Sequence, residues 1–136
     1  MHEPEGRSPS PEDLLALART AAEKAYAPYS GFRVGAAVLA EDVSVYTGAN
    51  VENSAYPSSS CAEATAVAHA ASEGMRKIVA AAVACIDARS LEGAYPCGRC
   101  RQILNEFRAE TIYVTAVGPE FREHTLAELL PHAFKF

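Results

Sequence analysis

An almost uninterrupted apolar run from Lys77 to Ile86 is the feature that most constrains the fold of this chain. A run without polar alternation is typical of a strand that is buried on both faces of a sheet. Helices must then cover both faces, and helical patterns do occur before and after the run. The predicted order of elements is α-β-β-α-β-α-β-α, which favours a mixed sheet between layers of helices.

The boundaries of these elements follow from caps, turns and β-prone segments. Ser10 and Pro11 form a helix start, and that helix must end before Pro28. Strands are predicted over 33–40, 44–51, 77–86 and 111–117, and further helices over 61–74, 97–108 and 125–130. The turn at residues 41–43 joins the first two strands as a hairpin. Because Val43 is β-branched, we expect a longer turn or strain there.

Length and charge limit the classes of function. The 136 residues are 49% hydrophobic and 21% charged, which suits one globular domain over residues 11–136 after a flexible lead-in at residues 1–10. The net charge of −5 and the lack of a basic run argue against nucleic acid as a partner. No segment has the pattern of a membrane span or a signal peptide, so we expect no membrane association and a cytoplasmic location.

Three cysteines have the spacing of a metal site. Cys61 stands at one predicted helix start, and Cys97 and Cys100 stand in the first turn of another. Helix N-termini present free N–H groups and partial positive charge, which favour thiolates. Three soft sulfur ligands select zinc and leave one tetrahedral position open for water, as in a catalytic site.

Glu63 is the candidate catalytic residue of this site. It lies two residues after Cys61, so its carboxylate can take a proton from the water and deliver it to a substrate nitrogen. A ligand-x-Glu followed by Pro-Cys-x-x-Cys is the known signature of zinc deaminases. The alternatives are a redox pair or a structural zinc site closed by Cys85, although Cys85 lies in the apolar run and has the pattern of a core residue.

Beyond these motifs, the chain resembles the small homotetrameric cytidine deaminases of pyrimidine salvage from about Tyr26 to Phe134. The shared segments, in the family's order and spacing, are 27–32 (APYSGF), 34–37 (VGAA), 50–53 (NVEN), 96–102 (PCGRCRQ) and 129–134 (LLPHAF). The resemblance implies a cytidine-deaminase-like three-layer α/β/α sandwich with a five-stranded mixed sheet. It also implies one Zn²⁺ per subunit, active sites shared between subunits, and hydrolysis of cytidine and deoxycytidine to uridine and deoxyuridine.

The resemblance also assigns residues to a nucleoside site. Asn50 and Glu52 are two apart on a predicted strand and so share a face, where the resemblance has them hold the ribose hydroxyls. The base would lie against Phe32, accept a hydrogen bond from the N–H of Ala62, and be covered by a neighbouring subunit through its C-terminal aromatic residue. The remaining expected pocket residues are Tyr29, Tyr56 and Phe134.

The chain departs from the resemblance at Ala64, where many members carry an arginine next to the thiolates. Three thiolates and Zn²⁺ sum to a negative charge, so the two helix dipoles, alone or together with Arg99 or Arg101, are expected to offset it. The segment Ser58–Ser60 is more polar than is usual in the family. Two alternative functions remain open: a deaminase of another aminopyrimidine nucleoside such as blasticidin S, and a non-catalytic zinc domain.

Overall fold

A computed structural model describes residues 8–136, and its centre is a five-stranded sheet in the order β2-β1-β3-β4-β5. The strands are β1 (Val34–Ala40), β2 (Val45–Ala49), β3 (Ile78–Cys85), β4 (Thr111–Thr115) and β5 (Phe121–Thr125). The helices are α1 (Pro11–Ala22), α2 (Ala62–Ser72), α3 (Gly98–Glu106) and α4 (Leu126–Leu129), with 3₁₀ turns at Tyr56–Ser58 and Leu91–Ala94. Residues 1–7 of the predicted flexible lead-in lie outside the described residues.

The apolar run forms the central strand, as predicted. Strand β3 pairs antiparallel with β1 and parallel with β4, so it has a neighbour on each side. Its alternate residues face two cores: Ala80, Ala82 and Ala84 contact the α1 layer, whereas Ala81, Val83 and Cys85 contact the layer of α2 and α3. This arrangement is the three-layer α/β/α sandwich expected from the sequence.

Local signals explain where the elements begin and turn. Ser10 caps α1 in a reciprocal capping box with Asp13, whose backbone N–H donates to Ser10 Oγ over 3.0 Å. The hairpin turns at residues 41–43, and Val43 adopts the left-handed region with φ of 63°. The predicted strain is therefore present, since a β-branched side chain disfavours this conformation. Gly74, with φ of 102°, follows the end of α2 as the sequence indicated.

The residue patterns missed one strand. Strand β5 pairs antiparallel with β4 over five residues. The residue patterns instead extended the preceding strand to residue 117 and predicted no further strand before the final helix. The reason is that β5 is a half-exposed edge strand with the polar sequence Arg-Glu-His-Thr after Phe121, so it lacks a buried apolar face. Within residues 8–136, none of the helices is long and apolar enough to cross a bilayer.

Candidate active site

The three cysteines of the motif meet at the N-termini of two helices. Cys61 is the N-cap residue of α2, Cys97 is the N-cap residue of α3, and Cys100 lies in the first turn of α3. Their Sγ atoms all lie within 4.8 Å of one another. This separation suits three sulfurs around one tetrahedral ion, because Zn–S bonds are about 2.3 Å long.

The electrostatics of the cluster also fit a bound cation. Burial raises the pKa of Cys61 and of Cys100, because an apolar environment disfavours the thiolate. At the more exposed Cys97, burial also acts to raise the pKa, but hydrogen bonds from the backbone and thiol of Cys100 lower it overall. The surrounding protein alone therefore favours the neutral form of Cys61 and Cys100, and a coordinated Zn²⁺ would supply the positive charge that favours their thiolates.

Glu63 lies beside the cluster in the first turn of α2. Its side chain is buried, with 5% of the residue exposed, and burial raises the pKa of the carboxyl group above its usual value. A raised pKa makes a carboxyl group easier to protonate, which suits a residue that must accept a proton and return it. Glu63 lines the same cavity as Cys61 and Cys97, and the neighbouring Cys100 acts to lower its pKa, which places the carboxyl group beside the three sulfurs.

Cys85 does not belong to the three-sulfur cluster. Its thiol donates to the carbonyl oxygen of Ala94 over 3.6 Å, and burial raises its pKa to about 12. It is therefore a protonated core residue at the end of β3, which is what its place in the apolar run indicated. The closed four-cysteine site is not formed.

A cavity of about 180 Å³ opens onto the cluster. Its walls include four of the residues selected from the sequence as nucleoside contacts or as the catalytic acid-base: Phe32, Asn50, Ala62 and Glu63. The cavity is also lined by four residues that the sequence did not indicate as nucleoside contacts: Val34, Cys85, Gly93 and Tyr95. The position of Tyr95 directly before the Pro-Cys motif could have indicated that it lies near the metal site. Val34 and Cys85 have the pattern of ordinary strand residues, so nothing in the sequence indicated that they line a cavity.

Asn50 and Glu52 both contact the segment formed by residues 29–34. The side-chain amide of Asn50 accepts a hydrogen bond from Val34 N over 2.8 Å and donates to Phe32 O over 2.9 Å. Glu52 Oε1 accepts from the backbone N–H groups of Tyr29 and Ser30 over 2.9 and 3.1 Å. The hydroxyl of Ser30 also bonds Glu52 Oε2, and this bond is the main reason that the pKa of Glu52 is lowered.

The other predicted contact residues lie outside the cavity of the single chain. Tyr29, Tyr56 and Phe134 are 64%, 86% and 69% exposed, respectively. None of the three lines the cavity. Residues 8–136 alone therefore do not bring these three side chains to the cavity.

The arginines near the cluster contact other groups. Arg101 donates from Nε to Pro96 O over 2.8 Å and from Nη1 to Leu129 O over 2.7 Å. Arg99 is exposed. Within residues 8–136, neither guanidinium hydrogen-bonds a cysteine sulfur, so the expectation that one of them turns toward the ligands finds no support. The helix N-termini remain as the local source of positive charge.

An α/β/α sandwich that carries three thiols and a buried glutamate at two helix N-termini has the fold and the site of a zinc-dependent deaminase. Residues 9–116 match the family model of the cytidine and deoxycytidylate deaminase zinc-binding region. The chain therefore belongs to this family, and its three-cysteine cluster is compatible with the zinc that gives the family region its name.

Individual relatives agree with this assignment. A cytidine deaminase of Sporosarcina psychrophila is 47% identical over 126 residues, which cover 90% of each chain. A cytidine deaminase of Mycobacterium tuberculosis is 42% identical over 121 residues, covering 89% of this chain and 86% of the relative. The crystal structure of cytidine deaminase from Burkholderia pseudomallei superposes with a TM-score of 0.83 at 39% identity, covering 89% of this chain and 96% of that one.

Proposed function

We propose that this chain is a zinc-dependent cytidine deaminase that converts cytidine and deoxycytidine to uridine and deoxyuridine with release of ammonia. The observation that carries the proposal is the buried Glu63, which lies two residues after a cysteine ligand and lines the same cavity as Cys61 and Cys97. A structural zinc site has no use for a buried carboxyl group beside the metal, because burial of an unused acid destabilises the fold.

The chemistry needs a nucleophile and a group that moves protons. Bound zinc would supply the activated water that attacks C4 of the pyrimidine. Glu63 takes one proton from this water and delivers it to N3, and it then passes the second proton to the amino group. The C4–N bond breaks, the water oxygen becomes the C4 carbonyl oxygen, and ammonia leaves. The raised pKa of Glu63 suits this alternation between base and acid.

The cavity walls suggest how the nucleoside is held. Phe32 provides a flat apolar surface for the base, and the backbone N–H of Ala62 can donate to the base carbonyl at C2. Asn50 has both amide atoms engaged with the backbone, so we assign to it the positioning of the wall around Phe32 as well as the contact with the ribose. Glu52 does not line the cavity itself, but its Oε2 retains a lone pair for a sugar hydroxyl beyond its bond with Ser30.

The exposed aromatic residues support a shared active site in a homotetramer. Phe134 would cover the base of a neighbouring subunit, and Tyr29 and Tyr56 would line pockets or contacts between subunits. Large exposed aromatic side chains are enriched where proteins associate. We also propose that the enzyme acts in the cytoplasm.

The test is a turnover assay on purified protein of known zinc content, with cytidine, deoxycytidine, 5-methylcytidine and blasticidin S as parallel substrates and detection of products by mass. Rapid turnover of the first two supports the proposed function. Turnover of blasticidin S or 5-methylcytidine alone would replace it with a specialised deaminase. Failure of all four substrates with zinc bound would favour the non-catalytic zinc domain.

A further inference from the structure

One wall of the cavity is tethered to the edge of the sheet through Tyr95. Tyr95 lines the cavity, and its hydroxyl group lies 2.8 Å from His124 Nε2. Arg122 Nη1 donates to the same hydroxyl oxygen over 3.3 Å. Both partners belong to β5, the strand that the residue patterns missed.

One assignment of protons accounts for both hydrogen bonds to the Tyr95 hydroxyl group. Arginine can only donate, so the Tyr95 oxygen accepts from Arg122, and the Tyr95 proton is then available for His124 Nε2. The other ring nitrogen of His124, Nδ1, faces Glu128 Oε1 over 3.6 Å. The phenol is therefore held at its far end by two partners, which restricts rotation of the ring.

Further contacts fix the segment that carries Tyr95. Arg122 Nη2 pairs with Glu92 Oε2 over 3.0 Å, so one guanidinium binds both Tyr95 and a residue three positions earlier. On the other side of Tyr95, Arg101 joins Pro96 O to Leu129 O of α4. The β5 and α4 elements thus hold the cavity wall before, at and after Tyr95.

The expected orientation of the base decides what this wall contacts, and this step rests on the proposed function. With C4 at the metal, the N3 and O2 edge faces α2, which offers Glu63 and the N–H of Ala62. The opposite edge of the ring, C5 and C6, then faces the other chain segment of the cavity, formed by Gly93, Tyr95 and Cys97.

We propose that Tyr95 is a specificity-determining residue that limits the size of the substituent at C5 of the pyrimidine, and that His124 and Arg122 are positioning residues that hold its ring in place. A wall that cannot move rejects a large group by overlap, whereas a free side chain would rotate away. A misfit of a few atoms in a closed pocket changes discrimination by about 10- to 200-fold.

The test compares affinities for uridine and 5-iodouridine, measured by calorimetry on the zinc-loaded full chain. Uridine and 5-iodouridine are both of the product type, so their binding can be measured without turnover. The electronic effect of iodine is the same in every variant, so a change in the ratio of the two dissociation constants reports a change in the fit at C5. In the wild type we expect 5-iodouridine to bind at least about 10-fold more weakly than uridine. Tyr95→Ser should abolish most of this preference, so that the ratio of the two dissociation constants approaches one.

Two further variants separate the wall from its tether. Tyr95→Phe keeps the ring but loses both hydroxyl contacts, and His124→Leu removes one partner that lies outside the cavity. Each variant should weaken the preference for uridine over 5-iodouridine by about 2- to 10-fold, the equivalent of one or two hydrogen bonds. Tyr113→Phe is the matched control, because Tyr113 packs on Phe121 over the α1 side of the sheet. It should leave the ratio unchanged.

The possible outcomes distinguish this inference from the proposed function. An unchanged ratio in Tyr95→Ser, with cytidine still turned over by the wild type, overturns the inference alone. If Tyr95→Ser fails to fold, the ratio in Tyr95→Phe decides in the same way. A wild type that binds neither nucleoside contradicts both proposals.

Discussion

At the scale of single residues, the contact between Arg33 and Asp87 makes the clearest prediction about pH. Arg33 Nε and Nη2 donate to the two Asp87 oxygens over 3.0 and 2.9 Å, and Arg33 N donates to Oδ2 over 2.8 Å. These bonds lower the pKa of Asp87 to about 2. A carboxyl group whose folded pKa is lowered stabilises the fold above its unfolded pKa of about 3.9 and loses this contribution as the pH falls toward its folded pKa.

We therefore expect Asp87→Asn to be less stable than the wild type at pH 7, with the difference shrinking between about pH 4 and pH 2. Urea unfolding of both proteins at several pH values measures this difference, and any loss of zinc in acid affects both proteins alike. Glu106→Gln, which removes one carboxyl group at an exposed position of α3, is the matched control for the change of charge. A difference that stays constant from pH 7 to pH 2.5 would show that Asp87 does not titrate as described.

Residue patterns predicted which cysteines come together better than they predicted the packing around them. The cysteine spacing and Glu63 were sufficient for the cluster, because helix starts at Cys61 and Cys97 follow from local signals. The amide of Asn50, however, bonds the backbone of Phe32 and Val34, a partnership that depends on tertiary structure. Tyr95 was missed for the same reason: its partners lie about thirty residues away on β5.

At the scale of elements, close approach between α1 and β1 depends on one glycine. A Cβ atom added to Gly35 would lie 1.9 Å from Ala18 O and 2.5 Å from Ala22 N. These are backbone atoms of α1, so only a shift of the whole helix could relieve the overlap. Overpacking of this kind costs about 1–3 kcal/mol, and more where the backbone must move.

Gly35→Ala should accordingly lower the free energy of unfolding by at least about 2 kcal/mol, as measured by urea unfolding of the zinc-loaded protein. The matched control is Gly118→Ala, since a Cβ atom there meets nothing within 4 Å. It should change stability by less than about 0.5 kcal/mol. Equal effects of the two substitutions would mean that α1 does not pack as closely on β1 as the structure indicates.

The elements that the sequence predicted are those whose signals are local. The buried run of β3 and the capping box of α1 were identified from residues alone. Strand β5 was not identified, because an edge strand can pair with a single neighbour without burying an apolar face. Its pairing with β4 is visible only in the three-dimensional structure. For the turn at Val43 the sequence left two alternatives, a longer turn or strain, and the φ of 63° shows that strain is present.

At the scale of the whole molecule, the proposed tetramer predicts an assembly of four times the 14.5 kDa chain. Sedimentation equilibrium at micromolar concentration measures this mass directly. Full activity in a species with the mass of one chain would contradict a shared active site.

The proposed shared site also predicts a kinetic effect at the C-terminus. Phe134→Ala should raise KM for cytidine by about tenfold, because the base loses an aromatic cover that buries apolar surface. Phe136→Ala is the matched control, as Phe136 is also exposed and two residues further on. Equal KM values for the two variants would remove Phe134 from the site.

The most direct test of the proposed role of Glu63 is the turnover number of Glu63→Gln with cytidine. It is measured beside the wild type on samples whose zinc content is known. The substitution keeps the shape of the side chain but removes the group that moves both protons. We expect one zinc per chain to be retained and kcat to fall by about 10²- to 10⁴-fold or more. Glu73→Gln, at the exposed C-terminal end of the same helix, should retain wild-type kcat. Wild-type turnover by zinc-loaded Glu63→Gln would contradict the proton shuttle on which the proposed function depends.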